Sequence, residues 1–508
     1  MQINSPFLEV ANLSLENLNL IYDWKYEEST FRLSFSQIRP SLSEFINESP
    51  NKFHSIKNLP PLFIIHDNIK VGFIYFERWF KEKSCTLSLF LNEKSQSKKI
   101  GTYALQKALC DLSQRGFQEV VAFVKTENIK AKRAFEKSGF NFKGEVFVPK
   151  YNQMHRACKY IYTSPNINSK KTFIIGEIGS NFSCGDETVS LLLAKKMIEE
   201  VYASGCDAAK FQLFNPQKIY VPNAGSPKYL NQDINEIFKK HALPSHFIPK
   251  LYEHANYVGI ELMCSFFSKE DFEKINPYVQ KHKIASYELR HIRLLELAAE
   301  SQKPLFLSTG CASLEDIEWA CETFFKLNGK NLTLFHCTAS YPAQSNSLNL
   351  RCIRSLAERF KVPVGLSDHS AHPLHAPIAA VALGATAIEK HVTFHQKLPG
   401  PDHFFAINFK ELKEMCEAIC ETEIILGLEN KAIFPQEEEL ATFARRGVQA
   451  ILPIKAGDLL KEDNNIAILR PGVQRLGIHP KFLERMEGKK ALKDIPLGCG
   501  IQQEDVKW

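Results

Sequence analysis

Between positions 173 and 391 the sequence carries eight short apolar runs at fairly regular intervals: 173–177, 208–212, 260–265, 283–286, 305–309, 332–337, 364–368 and 387–391. Most are joined by segments of helical periodicity, such as 189–204 and 313–328, so the pattern reads as strands alternating with helices in parallel βα units. Eight such units in about 260 residues predict a closed (β/α)8 barrel. Nearly every run ends in polar or charged side chains: Glu177, Lys210 with Gln212, Ser265, Ser286 with Glu288, Ser308 with Thr309, Asp368 with His369, and Lys390 with His391. Barrels present their strand C-terminal ends to substrate, which makes these groups candidate site residues.

The barrel does not account for the whole chain, because 508 residues exceed what one core holds. The polar stretch Thr163-Ser-Pro-Asn-Ile-Asn-Ser-Lys-Lys171 has linker composition. The expected divisions are a front domain at 1–163, a linker at 164–171, the barrel at 172–432 and a small β-rich domain at 433–508. In that last domain the pattern Ile454-x-x-Gly457-x-x-Leu460-x-x-Asp463 returns as Ile495-x-x-Gly498-x-x-Ile501-x-x-Glu504. With 44% hydrophobic and 24% charged residues, the composition is that of a globular protein and excludes disordered, collagen-like and coiled-coil chains. The thirteen cysteines are odd in number, scattered, and contain no CxxC pair, so neither a disulfide framework nor a zinc finger is signalled. A reducing, cytoplasmic setting is expected. No basic N-terminal segment precedes an apolar run, and no stretch approaches about 18 uninterrupted apolar residues, so neither secretion nor membrane spanning is expected. The formal charge of +6 is unevenly placed: residues 1–168 carry +7 and the remainder −1.

The motifs Phe173-Ile-Ile-Gly-Glu-Ile-Gly179, Ala209-Lys-Phe-Gln212, Lys283-Ile-Ala-Ser-Tyr-Glu288, Lys303-Pro-Leu-Phe-Leu-Ser-Thr-Gly310, His336-Cys-Thr-Ala-Ser-Tyr-Pro342, Gly365-Leu-Ser-Asp-His369, Glu389-Lys-His391 and Gly400-Pro-Asp402 stand in one order. In that order and spacing they resemble the sialic acid (nonulosonic acid) synthases, and the tail resembles the antifreeze-like (SAF) domain that follows the barrel in that family. The resemblance implies condensation of phosphoenolpyruvate with an open-chain amino sugar and release of phosphate. The phosphate and carboxylate of phosphoenolpyruvate need cations and short donors, which Lys210, Lys283, Ser265, Ser286, Ser308 and Ser367 would supply. His369 and His391 are the expected ligands of a divalent metal, manganese or magnesium in the family. By resemblance Glu177 is the acid/base carboxylate, Glu288 contacts sugar hydroxyls, and Gln212, Tyr341 and Asp402 contact substrate. Arg470 matches an arginine that reaches a neighbouring subunit's barrel, implying a homodimer.

In the front domain, Gln96-Ser-Lys-Lys-Ile-Gly-Thr102 opens a helical segment, 103–114, and Glu127-Asn-Ile-Lys-Ala-Lys-Arg-Ala-Phe-Glu-Lys-Ser-Gly-Phe140 follows. The pair resembles GNAT-type N-acetyltransferases, which bind the pyrophosphate of coenzyme A with backbone donors of such a loop. Gln96, Lys99, Gly101, Thr102 and Asn128 are therefore expected to bind acetyl-CoA. Lys99 replaces the family's first loop glycine, and Phe135 stands where many members carry a tyrosine. No aromatic-basic motif for nucleic acid is present, so the front domain's positive charge is assigned to a small acidic cofactor.

An acetyltransferase joined to such a synthase suggests a diacetamido-trideoxy hexose as substrate, with pseudaminic acid as product. Gly477-Ile-His-Pro-Lys-Phe482 and Ser286-Tyr-Glu288 lean the same way. Four alternatives stay open: an N-acetylneuraminate synthase or a legionaminic acid synthase with a non-catalytic front domain, an aldulosonate-phosphate synthase, and a protein that senses sugar and acetyl-CoA without catalysis.

Overall fold

In the computed structural model, residues 6–36, 38–56, 59–81, 83–150, 153–164, 172–221, 224–225, 234–427 and 431–508 are described. Apart from Ser164, the expected linker lies outside them. No helix among the described residues is long and apolar enough to cross a membrane.

The front domain is a mixed sheet of seven strands: β1 (Phe7–Val10), β2 (Leu62–His66), β3 (Ile69–Arg78), β4 (Ser84–Leu91), β5 (Glu119–Lys125), β6 (Asn141–Lys150) and β7 (Gln153–Thr163), in the order β1-β2-β3-β4-β5-β7-β6. Five helices accompany it: α1 (Leu15–Tyr26), α2 (Glu28–Arg32), α3 (Leu42–Phe53), α4 (Ile100–Gln114) and α5 (Ile129–Lys137). Strand alternation divides the core into two layers. Leu62, Ile64, Ile74 and Phe76 cluster with Ile100, Ala104, Leu105 and Ala108 of α4. Phe63, Ile65, Phe73 and Tyr75, pointing the other way, cluster with Leu18, Ile21 and Trp24 of α1 and Phe45 and Phe53 of α3. Helices α1 and α3 thus cover one face and α4 the other. β4 and β5 are parallel and pair only where Ser84–Thr86 meets Glu119–Val121. Beyond Thr86 the two strands part.

All eight expected barrel strands form: β8 (Phe173–Gly179), β9 (Ala208–Leu213), β10 (Glu261–Phe266), β11 (His282–Ile284), β12 (Leu305–Ser308), β13 (Leu332–Cys337), β14 (Val364–Asp368) and β15 (Ala387–Thr393). Their parallel pairing closes from β15 back to β8. The expected helix at 189–204 is α6 (Glu187–Ala203), begun by the Asp186 side chain accepting from Val189 N–H. Between β9 and β10 lie α7 (Ile234–His241) and α8 (Phe247–Val258). Ile175, Ala208, Met263, Phe306, Phe335 and Ala387 meet inside the barrel as an apolar plug. Two residues further along five of those strands stand Glu177, Lys210, Ser265, Ser308 and Glu389, so the same inward face changes from apolar to charged toward the C-terminal mouth.

The front domain packs on the outer helices of the barrel. Trp79, Phe80 and Phe123 surround Tyr257 of α8, with ring centroids 5.4, 6.2 and 5.9 Å away. Lys159 of β7, 1% exposed, donates to the α8 carbonyls of Tyr257 at 3.0 Å and Asn256 at 3.4 Å. An ammonium over the last turn of a helix meets both its unpaired carbonyls and the negative end of its dipole.

Residues 427–508 form a second compact unit. The sequence echo is a structural one. Ile454 and Ile495 exchange both backbone hydrogen bonds, at 2.9 and 2.8 Å. Leu460 and Ile501 are both fully buried, and Gly457 and Gly498 both take positive φ, 97° and 81°. Each repeat spends its glycine on a left-handed turn, the conformation that disfavours side chains.

Candidate active site

The mouth of the barrel gathers Glu177, Lys210, Ser265, Lys283, Ser308 and Ser367 into one buried polar layer, with Gln212 half-buried at its edge. Lys210 Nζ lies 2.7 Å from Glu177 Oε2 and donates to Ser265 Oγ at 3.2 Å. Gln212 Nε2 donates to Glu177 Oε1 at 2.6 Å. Lys283 Nζ donates to Ser308 Oγ at 2.7 Å.

The strand-end reading passed over the group that ties the layer together. Glu389 lies 3.5 Å from both Lys210 Nζ and Lys283 Nζ and accepts from Ser367 Oγ at 2.9 Å. The signal was available: Glu389 precedes His391 by two residues on a strand and therefore shares its inward face. The same alternation sets aside two strand-end groups. Lys390 and Asp368 form an ion pair of 2.6 Å with each other, and Lys390 also donates to Ser370, so both belong to a separate buried network.

The two carboxylates divide by environment. Burial works against the Glu389 anion, but its two lysines hold it down at about 2. Burial pushes Glu177 up, and Glu389 adds to it, with only Lys210 and hydrogen bonds opposing, so of the two carboxylates Glu177 holds a proton the more readily. Burial also disfavours the Lys210 cation, yet Glu177 and Glu389 outweigh it and raise its pKa. Lys283 has the weaker counter-charge, and burial lowers it.

His369 and His391 sit above this layer with ring centroids 5.5 Å apart. His369 Nδ1 is 2.9 Å from the Thr338 carbonyl, which fixes that nitrogen as a donor and leaves Nε2 to carry the lone pair when the ring is neutral; burial opposes the ring's charge, but Cys337 and that carbonyl outweigh it and raise its pKa. His391 Nδ1 is buried without a hydrogen-bond partner among the described residues and is 4.0 Å from Asp402 Oδ2. Burial keeps His391 well below the ordinary histidine pKa, hence neutral. Two imidazoles suit a divalent cation whose other positions are filled by water or substrate oxygen. No cluster of three or more His, Cys, Asp and Glu ligands occurs among the described residues.

Tyr341 stacks obliquely on His369 at 4.4 Å, and Phe405 walls off His391 at 5.0 Å. Burial raises Asp402 to about 6. Gly179, at φ 55°, passes so close to Glu177, Gln212 and Asp402 that an added Cβ would lie 3.2 to 3.5 Å from all three. Ser286 serves the backbone, accepting from Gly310 N–H at 3.0 Å. Glu288 Oε2 is buried without a hydrogen-bond partner among the described residues, and burial lifts the carboxyl to about 7. Arg470 follows the strand Ile466–Leu469 of the C-terminal unit and is exposed.

In the front domain, a cavity of 730 Å³ fills the gap between the parted β4 and β5. Gln96, Lys99, Gly101, Thr102, Asn128 and Phe135 all line it. Lys99 takes φ 63°, so a lysine adopts the left-handed turn expected of glycine and α4 starts directly after it. The Asn128 side chain caps α5 by accepting from Ala131 N–H at 3.1 Å. Phe135 stacks on Tyr160, whose hydroxyl donates to Glu136 at 3.0 Å.

Residues 197–431 match the NeuB family, 19–140 the acetyltransferase (GNAT) family and 445–507 the SAF domain. The spore coat polysaccharide biosynthesis protein SpsE of Bacillus subtilis is 35% identical over 355 residues, which cover 66% of this chain and 93% of that protein. The chain belongs to the NeuB family. The pseudaminic acid synthase of Campylobacter jejuni is 34% identical, covering 67% of this chain and 99% of the relative. The N,N'-diacetyllegionaminic acid synthase of Legionella pneumophila is 31% identical, covering 68% and 97%. This NeuB member therefore carries about a third of its length outside the matched region.

Proposed function

We propose that the barrel joins phosphoenolpyruvate to an open-chain N-acetylated amino sugar, releasing phosphate and giving a nonulosonic acid. The observation that carries this reading is the buried layer in which Lys210 and Lys283, with Ser265 and Ser308 on them, face the mouth of a closed barrel. Those ammonium groups and hydroxyls bind the phosphate and carboxylate of phosphoenolpyruvate. Glu389 holds both lysines in place and stays charged. Glu177 moves a proton at its carboxyl oxygen as the enol oxygen bond breaks and water is taken up. Asp402, Tyr341 and Glu288 orient the sugar. His369 and His391 would hold a manganese or magnesium ion, which supplies Lewis-acid polarisation of the sugar carbonyl when bound.

The sugar assigned is a diacetamido-trideoxy hexose and the product pseudaminic acid. The support is the attached acetyltransferase-like domain, since such a sugar needs a second N-acetyl group before condensation. The front domain then acts as an acetyl-CoA-dependent N-acetyltransferase on an upstream sugar intermediate. The assembly assigned is a homodimer in which Arg470 reaches the partner's barrel. Purified protein incubated with manganese, phosphoenolpyruvate and a panel of diacetamido sugars should release phosphate and give a sugar acid by mass spectrometry. Turnover of N-acetylmannosamine with none of the diacetamido sugars would overturn the sugar assignment.

A further inference from the structure

His391 lies inside β15, where its backbone pairs with Glu177 of β8. His369 has no such ladder on its β15 side: β14 ends one residue before it, and the pairing of β14 with β15 stops at Asp368 against Lys390. On the β13 side the His369 carbonyl accepts from Ala343 N–H at 3.0 Å. The place of the His369 ring relative to His391 therefore depends on what holds the loop that starts there. In the ladder Ser367 stands opposite Glu389, and Asp368 opposite Lys390. The first pair faces the barrel axis, where Ser367 donates to Glu389, so the second points away from it, behind the two histidines.

There Asp368 and Lys390, each 1% exposed, form their 2.6 Å ion pair and close together on Ser370, the residue after His369. The Asp368 carboxylate accepts from Ser370 N–H at 2.8 Å and from the Ser370 hydroxyl at 3.1 Å. The Lys390 ammonium donates to the Ser370 carbonyl, to the Ser370 hydroxyl oxygen at 3.3 Å and to the His372 carbonyl at 3.3 Å. Both backbone polar groups of Ser370 are thus taken up by one ion pair. Ser370 adjoins His369 as Lys390 adjoins His391, so the pair ties the loop of one histidine to the strand of the other. Stability alone does not account for it, because apolar residues of the same volume commonly serve a fold as well as a buried ion pair or better. Charges spent on loop backbone fix a geometry instead.

Resting on the metal reading of His369 and His391, we propose that Asp368 and Lys390 are positioning residues of that site: by gripping Ser370 they hold the His369 ring 5.5 Å from the His391 ring, so that both imidazoles serve one divalent cation. Neither side chain faces the cation, and the pair acts through the backbone between it and the histidines. Releasing the clamp leaves both imidazoles in the chain but frees the loop that carries one of them. A cation then has to order that loop as it binds. Contacts that orient a metal-binding histidine from behind are worth roughly 10–100-fold in metal affinity.

Full-length protein stripped with a chelator is titrated with manganese alone, and free manganese is read by electron paramagnetic resonance; His369→Ala marks the loss of the site. The principal variant combines Asp368→Asn with Lys390→Met, which removes both charges and leaves no unpaired charge buried. It should bind manganese about 10–100-fold more weakly than wild type. Its thermal midpoint, and its KM for phosphoenolpyruvate at saturating manganese, should stay close to wild type. Raising manganese should restore its turnover, which a general loss of structure would not allow. Ser370→Ala keeps the ion pair and removes only the hydroxyl that touches both partners; it should weaken manganese binding about 2–10-fold, the size of one hydrogen bond. Manganese affinity equal to wild type in the folded double variant, or in Ser370→Ala where the double variant does not fold, overturns the clamp alone. A joint fall of midpoint, manganese affinity and phosphoenolpyruvate binding that excess manganese does not rescue gives the pair a structural role and overturns the clamp as well. No manganese bound by the wild type overturns the metal reading and the clamp with it.

Discussion

Lys159 offers a direct test of how the front domain is held to the barrel. Its ammonium is buried against the end of α8, and burial lowers its pKa from the ordinary 10.5 to about 7, with Glu119 only partly offsetting. The unfolded chain therefore holds a proton on Lys159 that the folded chain releases between pH 7 and 10.5, so this residue adds stability as pH rises. At 1.36 kcal/mol for each pKa unit, nearly the whole penalty is present at pH 6, and about 2–3 kcal/mol of it is relieved by pH 9. Other groups titrate in the same range, so the informative quantity is the difference between wild type and Lys159→Met, which keeps the apolar stem and removes the charge. Urea unfolding followed by tryptophan fluorescence suits the measurement, because Trp79 has Lys159 Nζ 5.5 Å from its ring. The wild-type midpoint should climb from pH 6 to pH 9 relative to the variant by the equivalent of that energy. Parallel curves for the two proteins across this range would refute the reasoning.

Replacing His369 or His391 with Ala should abolish phosphate release from phosphoenolpyruvate and sugar, and full activity in either variant would sink the proposed metal site. Lys283→Met should raise the KM for phosphoenolpyruvate by roughly 10–100-fold, the cost of one lost charge-assisted contact; an unchanged KM would place Lys283 outside the binding layer. Glu288 ionises above about pH 7, so the KM for the sugar should fall up to about tenfold between pH 6 and 8 if the carboxylate accepts sugar hydroxyls, and Glu288→Gln should flatten the profile. Gly457→Ala and Gly498→Ala should each cost on the order of 1 kcal/mol in thermal unfolding of the C-terminal unit, because both force a side chain into the left-handed region. A strongly unequal pair would argue against the equivalence of the repeats.

The barrel was readable because its signal is periodic. Eight apolar runs became eight strands, and their polar ends mark its mouth. What the runs could not give is which of two adjacent polar residues faces inward. Lys390 and His391 read alike in sequence, and only the register of β15 against β14 and β8 separates an ion pair with Asp368 from a site histidine. Glu389 escaped for the related reason that it lies one step below the strand end. In the front domain the sequence supplied the loop and the helix but left the backbone at Lys99 open, since a left-handed lysine carries no mark in composition.

The apolar plug at the base of the barrel has a kinetic meaning. Ile175, Met263, Phe306 and Phe335 close the end away from the charged layer, so that layer is the floor of a pocket rather than a stage in a tunnel. In the proposed reaction, the ligand of Lys210 and Lys283 arrives before the sugar takes the space beside Tyr341, His391 and Asp402, and leaves after that space has emptied. Under the proposed reaction this makes phosphoenolpyruvate the first substrate on and phosphate the last product off. Phosphate should then compete with phosphoenolpyruvate at every sugar concentration, whereas the sugar acid should not.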